Sequence, residues 1–255
     1  MNQTKILPKG RYKKDRTIEG ILVEHTCTNA IILENHRWFE LLEKHLKGRK
    51  VERIKYWYLD HELLLVDDTL ISIAQGASIV ASLAERFRVS GAKKIIRIAT
   101  TGSLQKDIDV GSIIVPSSCI RDDGTSYHYL PENVPCISDI NLLNTICNYL
   151  KINNFKYLSG LTWTTDGRWK ETVEKIEKYK SLNCLSVDME TAGLYSFGMD
   201  RKIPVISLNI VTDKPHEDSS EYKGFVQKDL WDNKITPLFL ELMTKILDGL
   251  KNEKI

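Results

Sequence analysis

Short apolar runs rich in β-branched residues alternate along the chain with stretches whose apolar positions recur every three or four residues. The first pattern predicts strands, the second helices. "AIIL" (30–33) reads as a strand and "HRWFELLEKHL" (36–46) as a helix; "KVERIKYWYL", "ELLLVDD" and "TLISIA" read as strands. "ASIVASLAERFRVSG" has helical spacing and stops at Gly91, a C-terminal cap by type. Strands "KKIIRIAT" and "GSIIVPSSCI" follow, then helix "INLLNTICNYLKI", strand "YLSGLTWTT", helix "ETVEKIEKYKSL", strand "CLSV", helix "METAGLYSFG" and strand "PVISLNIV". A helical tail closes the chain, with Pro237 placed to break or kink it. This order predicts an α/β fold, a sheet covered by helices. Four strands end in polar or glycine-containing text, "IRIATTGS", "LTWTTDGRW", "LSVDME" and "NIVTDK". Ligands of open α/β sheets gather beyond the carboxyl ends of strands, so these endings are expected to share one site.

Composition narrows the class. The 255 residues, 42% hydrophobic and 27% charged, suffice for one large core, and no linker or repeat divides residues 1–255. Lys plus Arg (36) nearly balance Asp plus Glu (34), leaving +2, with no basic block interleaved with aromatics. Nucleic-acid binding is therefore not expected. The basic N-terminus has no apolar core, and no run approaches the roughly 18 apolar residues of a membrane span. A cytoplasmic protein is expected. Five scattered cysteines at no metal-ligand spacing suit free thiols in a reducing compartment, with no metal site.

Several residues admit a structural and a functional reading. In "LSVDMETAGLY" the carboxylates of Asp188 and Glu190 stand where a buried strand stops. Asp188 either caps the next helix or faces ligand. Arg97 lies within a strand, where a cation needs an anionic partner, either a protein carboxylate or a bound anion. Asp213 either starts the turn before Pro215 or faces the shared site.

Taken in order, "IIRIATTGSLQKDIDVGSIIVP", "IRDDGTSYHYLP", "GLTWTTDG", "VDMETAGLY" and "NIVTD" resemble the purine nucleoside and uridine phosphorylases of the hexamer-forming type. The resemblance implies one domain with a mixed, partly barrel-like central sheet. It also implies a reaction in which inorganic phosphate, as co-substrate and without a cofactor, displaces the base of a nucleoside to give ribose 1-phosphate. Homodimers, or trimers of dimers, are implied as well. Cleavage of an N-glycosidic bond leaves positive charge on the sugar, and a carboxylate can accept from two adjacent hydroxyls. Glu190 matches the ribose carboxylate and Met189 the apolar floor beneath the sugar. Arg97, Thr100 and the N–H groups around Gly102 match the phosphate cradle, with Arg37 as a further candidate. Asp213 matches the general acid that protonates a departing purine. Trp169 and Trp163 are candidates for stacking on the base, and Thr101 and Asp188 for its edge.

The sequence departs from the pattern in places. The usual Gly-Asp-Pro phosphate turn is replaced by "AIILENHRWFELL"; Ala99 stands for a glycine, and Asp188 for a glutamate. "ISIAQGASIVAS" keeps Gly76 and Ser78 but lacks the usual proline. Purine phosphorolysis is the leading expectation. Its alternatives are a uridine phosphorylase, a phosphate-independent nucleosidase, and a nucleoside-binding protein without turnover.

Overall fold

β1 (Asn29–Leu33) is a short apolar run, and four of its five residues are buried. It is flanked on both sides by parallel partners, β4 (Thr69–Ile73) and β5 (Lys94–Ser103). Such two-sided burial explains why its text is continuous rather than alternating. The computed structural model describes residues 26–46, 49–55, 62–215 and 228–255. Of the strand expected over "KVERIKYWYL", Val51–Lys55 forms β2, and the remainder from Tyr56 lies outside the described residues.

The other strands are β3 (Glu62–Val66), β6 (Ile113–Asp122), β7 (Cys136–Ile137), β8 (Tyr157–Thr165), β9 (Ser186–Asp188) and β10 (Val205–Asp213). The sheet runs β10-β6-β8-β9-β5-β1-β4-β3-β2, and β10 pairs again with β5. Five strands therefore close into a barrel, from which β1, β4, β3 and β2 extend as an open wing. The expected mixed, partly barrel-like sheet is what the chain forms. Pro116 is accommodated in β6 at a register shift between Pro116 and Ser118, where a missing N–H is tolerated.

Helices cover the sheet: α1 (His36–His45), α2 (Ala77–Val89), α3 (Ile140–Ile152), α4 (Val173–Ser181), α5 (Thr191–Arg201) and α6 (Thr236–Lys251). Gly91 follows α2 at φ +102°, as its sequence position suggested. Pro237 sits in the first turn of α6, directly after a π-helical turn over Trp231–Ile235. The run is thus irregular just ahead of the proline rather than broken within α6, because an N1-type position needs no N–H.

α5 matters most for the site. Thr191 to Gly198 are all buried, so the helix has little amphipathic contrast and runs through the interior. Gly193 permits this: a Cβ there would lie 2.8 Å from the Cβ of Ala77 on α2. The N-terminus of α5 consequently meets the carboxyl ends of β5, β9 and β10, where Gly102 pairs with both Val187 and Asp213.

Candidate active site

The four strand endings do converge. A cleft of about 530 Å³ is lined from β5 by Thr100, Thr101 and Gly102, from β9 and its sequel by Val187, Asp188, Met189 and Glu190, and from β10 by Thr212 and Asp213. Arg168, Trp169 and Glu171 come from the segment after β8, Gln75 and Gly76 from the end of the β4 region, and Glu34 from the end of β1.

Beneath this cleft lies Arg97, fully buried. One face of β5 points it toward β10, where it stands in register with Ser207. Its Nη1 donates to Asp188 Oδ2 (3.1 Å), Ser207 Oγ (3.0 Å) and Asn209 Oδ1 (3.2 Å), while Nη2 donates to Glu190 Oε2. Glu34 Oε2 lies 3.9 Å from Nη2. Burial alone would pull the guanidinium pKa down, but Glu190, Asp188 and Glu34 outweigh it and the net shift is upward. Expected on phosphate, Arg97 is instead surrounded by three protein carboxylates, one after β1 and two at the end of β9, and does not line the cleft.

Of its two sequence readings, Asp188 follows the helix cap. Its Oδ1 accepts from Thr164 Oγ1 (2.7 Å) and from the α5 backbone N–H of Thr191 (3.3 Å), while Oδ2 accepts from Arg97, Asn209 Nδ2 (3.2 Å) and Thr191 Oγ1. With this many protein donors it acts as an anchor joining β8, β9, β10 and α5. Its expected contact with the base is not favoured, because both oxygens are occupied.

Glu190 crosses from β9 into α5. Its Oε1 accepts the backbone N–H of Gly76 (2.7 Å) and its Oε2 meets Arg97. Burial pushes its carboxyl up to about 7; Arg97 opposes the shift, while Glu34 and Asp188 add to it. Met189 beside it is half-buried and lines the cleft.

Glu34 has no counterpart among the residues singled out from sequence. Thr100 donates its backbone N–H to Glu34 Oε2 (2.5 Å) and its hydroxyl to Oε1 and Oε2 (2.8 and 2.9 Å). The available signal was a carboxylate at the end of an apolar strand, the same signature as the other endings. Thr101 and Gly102 line the same wall, with the Thr101 hydroxyl on the carbonyl of Val187 (2.7 Å).

On the other side, Asp213 follows a register irregularity after Val211 and accepts from the Thr212 hydroxyl (2.9 Å). Near it Glu171, also missed from sequence, is pushed up to about 7 by burial and then by Asp213, with Arg168 opposing. A carboxyl raised above its ordinary 4.5 makes the folded state bind the extra proton, so its stabilising share is present below 4.5 and is lost as pH rises to about 7. Glu171→Gln is therefore expected to raise the melting temperature at pH 8 and to leave it nearly unchanged at pH 5. Equal shifts at both pH values would show that Glu171 ionises without cost.

The two tryptophans separate. Trp169 lines the cleft and is 91% exposed, open to a base or to another surface. Trp163 is not a stacking residue: it is fully buried in a satellite core, 4.7 Å from the Tyr179 ring, with its Nε1 donating to Asp122 (3.1 Å). It occupies an inward position of β8, facing α4 rather than the cleft. Arg37, a candidate for phosphate, is not brought to the cleft by this chain's fold. It lies on the first turn of α1 and ion-pairs with Asp232, outside the cleft.

A sequence profile described as "Phosphorylase superfamily" matches residues 41–246. The purine nucleoside phosphorylase of Plasmodium falciparum (isolate 3D7) is 26% identical over 231 residues, covering 89% of this chain and 84% of that protein. In structure, the chain is similar to Toxoplasma gondii purine nucleoside phosphorylase in complex with immucillin-H (TM-score 0.77, 22% identity, 90% and 94% of the two chains). It is also similar to AMP nucleosidase from Bacteroides thetaiotaomicron VPI-5482 (TM-score 0.74, 19% identity, 92% and 99%).

Proposed function

Since the chain belongs to the phosphorylase superfamily, we propose that this enzyme cleaves the N-glycosidic bond of purine nucleosides. The observation that carries the reading is the placing of Glu190 and Asp213 on two walls of one cleft. Glu190 is the sugar carboxylate. Its Oε2 takes Arg97 and the Met189 N–H (3.3 Å), while Oε1 keeps lone-pair capacity beyond the Gly76 bond, so a ribose hydroxyl can donate to it. Because it is charge-assisted and aimed from a buried helix start, the clamp holds the sugar in one orientation while positive charge grows at the anomeric carbon. Met189 supplies the apolar contact below the ring.

Asp213 serves the departing base. A purine expelled as an anion leaves poorly at neutral pH, and an acid within reach of its imidazole ring removes that burden. Trp169 offers a flat face for the base, or for a neighbouring subunit that covers the cleft. Assembly at least as a dimer belongs to the same reading, since a covered cleft excludes the water that weakens charge stabilisation.

The reading is tested by following base release from inosine, adenosine, guanosine and uridine by chromatography. Purines should be cleaved faster than uridine. Glu190→Gln should keep the shape and lower purine turnover about a hundredfold, or about 3 kcal/mol. Unchanged kinetics would assign Glu190 to structure, and faster cleavage of uridine would overturn the purine preference.

A further inference from the structure

We propose that Glu171 reads the 6-position of the base: with Asp213 on the imidazole nitrogen N7, the Glu171 carboxyl meets the oxygen or amino group next to it. The inference rests on the purine reading above and concerns only how one purine is told from another.

The chain places this side chain firmly. Glu171 follows a single helical turn, Arg168–Lys170, and precedes Thr172, which caps α4 by accepting the Lys175 N–H (3.4 Å). The Lys170 N–H donates to the Gly167 carbonyl at 2.7 Å, and the Thr172 N–H to the Lys170 carbonyl at 2.9 Å, so the backbone is held on both sides of Glu171. The segment brings Glu171 and Trp169 into the cleft, where β10 brings Thr212 and Asp213. One segment thus offers an aromatic face and a carboxyl, and the other the carboxyl assigned to the leaving base.

The carboxyls of the cleft differ in what holds them. Asp188 and Glu190, after β9, are bound by Thr164, Gly76 and Arg97, and Glu34, after β1, by Thr100. No hydrogen bond from the described residues reaches the Glu171 carboxyl. The charges that act on it are Asp213, from the end of β10, and Arg168, from its own turn. Glu171 is therefore left to a ligand.

On a purine, N7 and the 6-substituent lie side by side along one edge. N7 accepts in every natural purine, whereas its neighbour is an accepting oxygen in 6-oxopurines and a donating amino group in 6-aminopurines. A group adjacent to the one on N7 consequently meets the atom in which they differ. A protonated carboxyl has one donor and one accepting oxygen, and suits either substituent; an ionised one only accepts, and repels the oxygen. Burial and then the charge of Asp213 push Glu171 up to about 7, with Arg168 opposing. Below that pH both kinds of purine are matched, and above it only the 6-amino kind.

The test is kcat/KM for inosine and for adenosine, measured with the unmutated enzyme between pH 6 and pH 8. The inosine-to-adenosine ratio should fall about tenfold over that interval, with the change carried by KM. Both nucleosides share the sugar, the attacking group and the Asp213 proton, so those titrations cancel in the ratio. Glu171→Gln, whose amide keeps a donor and an acceptor at every pH, should hold the ratio level. Glu171→Leu should raise KM for both nucleosides about tenfold, again with a level ratio. A level ratio in the unmutated enzyme, the same fall in Glu171→Gln, or an unchanged KM in Glu171→Leu overturns the inference while leaving the purine reading intact. Failure to cleave either nucleoside overturns the purine reading instead. The 6-position is then judged by calorimetric titration with hypoxanthine and adenine at pH 6 and pH 8, where an unchanged ratio of affinities overturns it.

Discussion

Asp213→Asn is expected to slow base release from natural purine nucleosides about a thousandfold, roughly 4 kcal/mol, while leaving a 7-methylated purine nucleoside almost unaffected. The difference follows from what the two leaving groups require. A natural purine must gain a proton as its bond to the sugar breaks; the methylated base is already cationic and leaves as a neutral species. Asparagine keeps the volume of Asp213 and its place at the end of β10, including an oxygen for the Thr212 hydroxyl that now lies 2.9 Å from Oδ1. It cannot deliver a proton. Comparing two substrates in one variant separates chemistry from folding, because a misplaced β10 would slow both. Equal losses would remove Asp213 from the acid's role.

Replacing Arg97 by methionine is expected to cost about 3–5 kcal/mol of stability near pH 8, measured by urea denaturation. The side chain is fully buried, and its loss strands Asp188, Glu190 and Glu34 without their shared cation. Hydrogen bonds from Thr164, Asn209, Gly76 and Thr100 soften the penalty without supplying charge. The pH dependence identifies the cause. Without Arg97, the Glu190 carboxyl, which burial already holds at about 7, rises further. Groups raised in the folded state are satisfied when protonated and penalised when ionised, so the deficit should shrink toward pH 5 and grow toward pH 8. A deficit independent of pH would mean that lost packing, not stranded charge, is responsible.

How much of this was legible beforehand differs by residue. Glu190, Asp213 and Met189 could be placed from text because each lies within two residues of a strand end, and the end of a strand is a local property. Trp163 was ambiguous for the same reason Trp169 was: both flank one turn, and an aromatic side chain suits a core as well as a ligand. Only the packing of β8 against α4 sent Trp163 inward, to Tyr179, while Trp169 stayed in the open segment after β8.

By itself the sequence determined the alternation of strands and helices, the main strand endings and the carboxylates placed on them, because hydrophobic periodicity and turn chemistry act over a few residues. The tertiary structure alone decided which of those carboxylates face each other. Glu34 meets Thr100 across 66 positions of chain, Arg97 meets Asn209 across 112, and Arg37 is drawn to Asp232 across 195. The first follows from β1 lying beside β5, the second from the closing of β10 onto β5, and the third from α1 packing near the turn before α6; such pairings set whether an arginine serves a ligand or a neighbouring carboxylate. Charge in a buried space is compensated by whatever the fold brings within a few ångströms, and no local pattern records that distance.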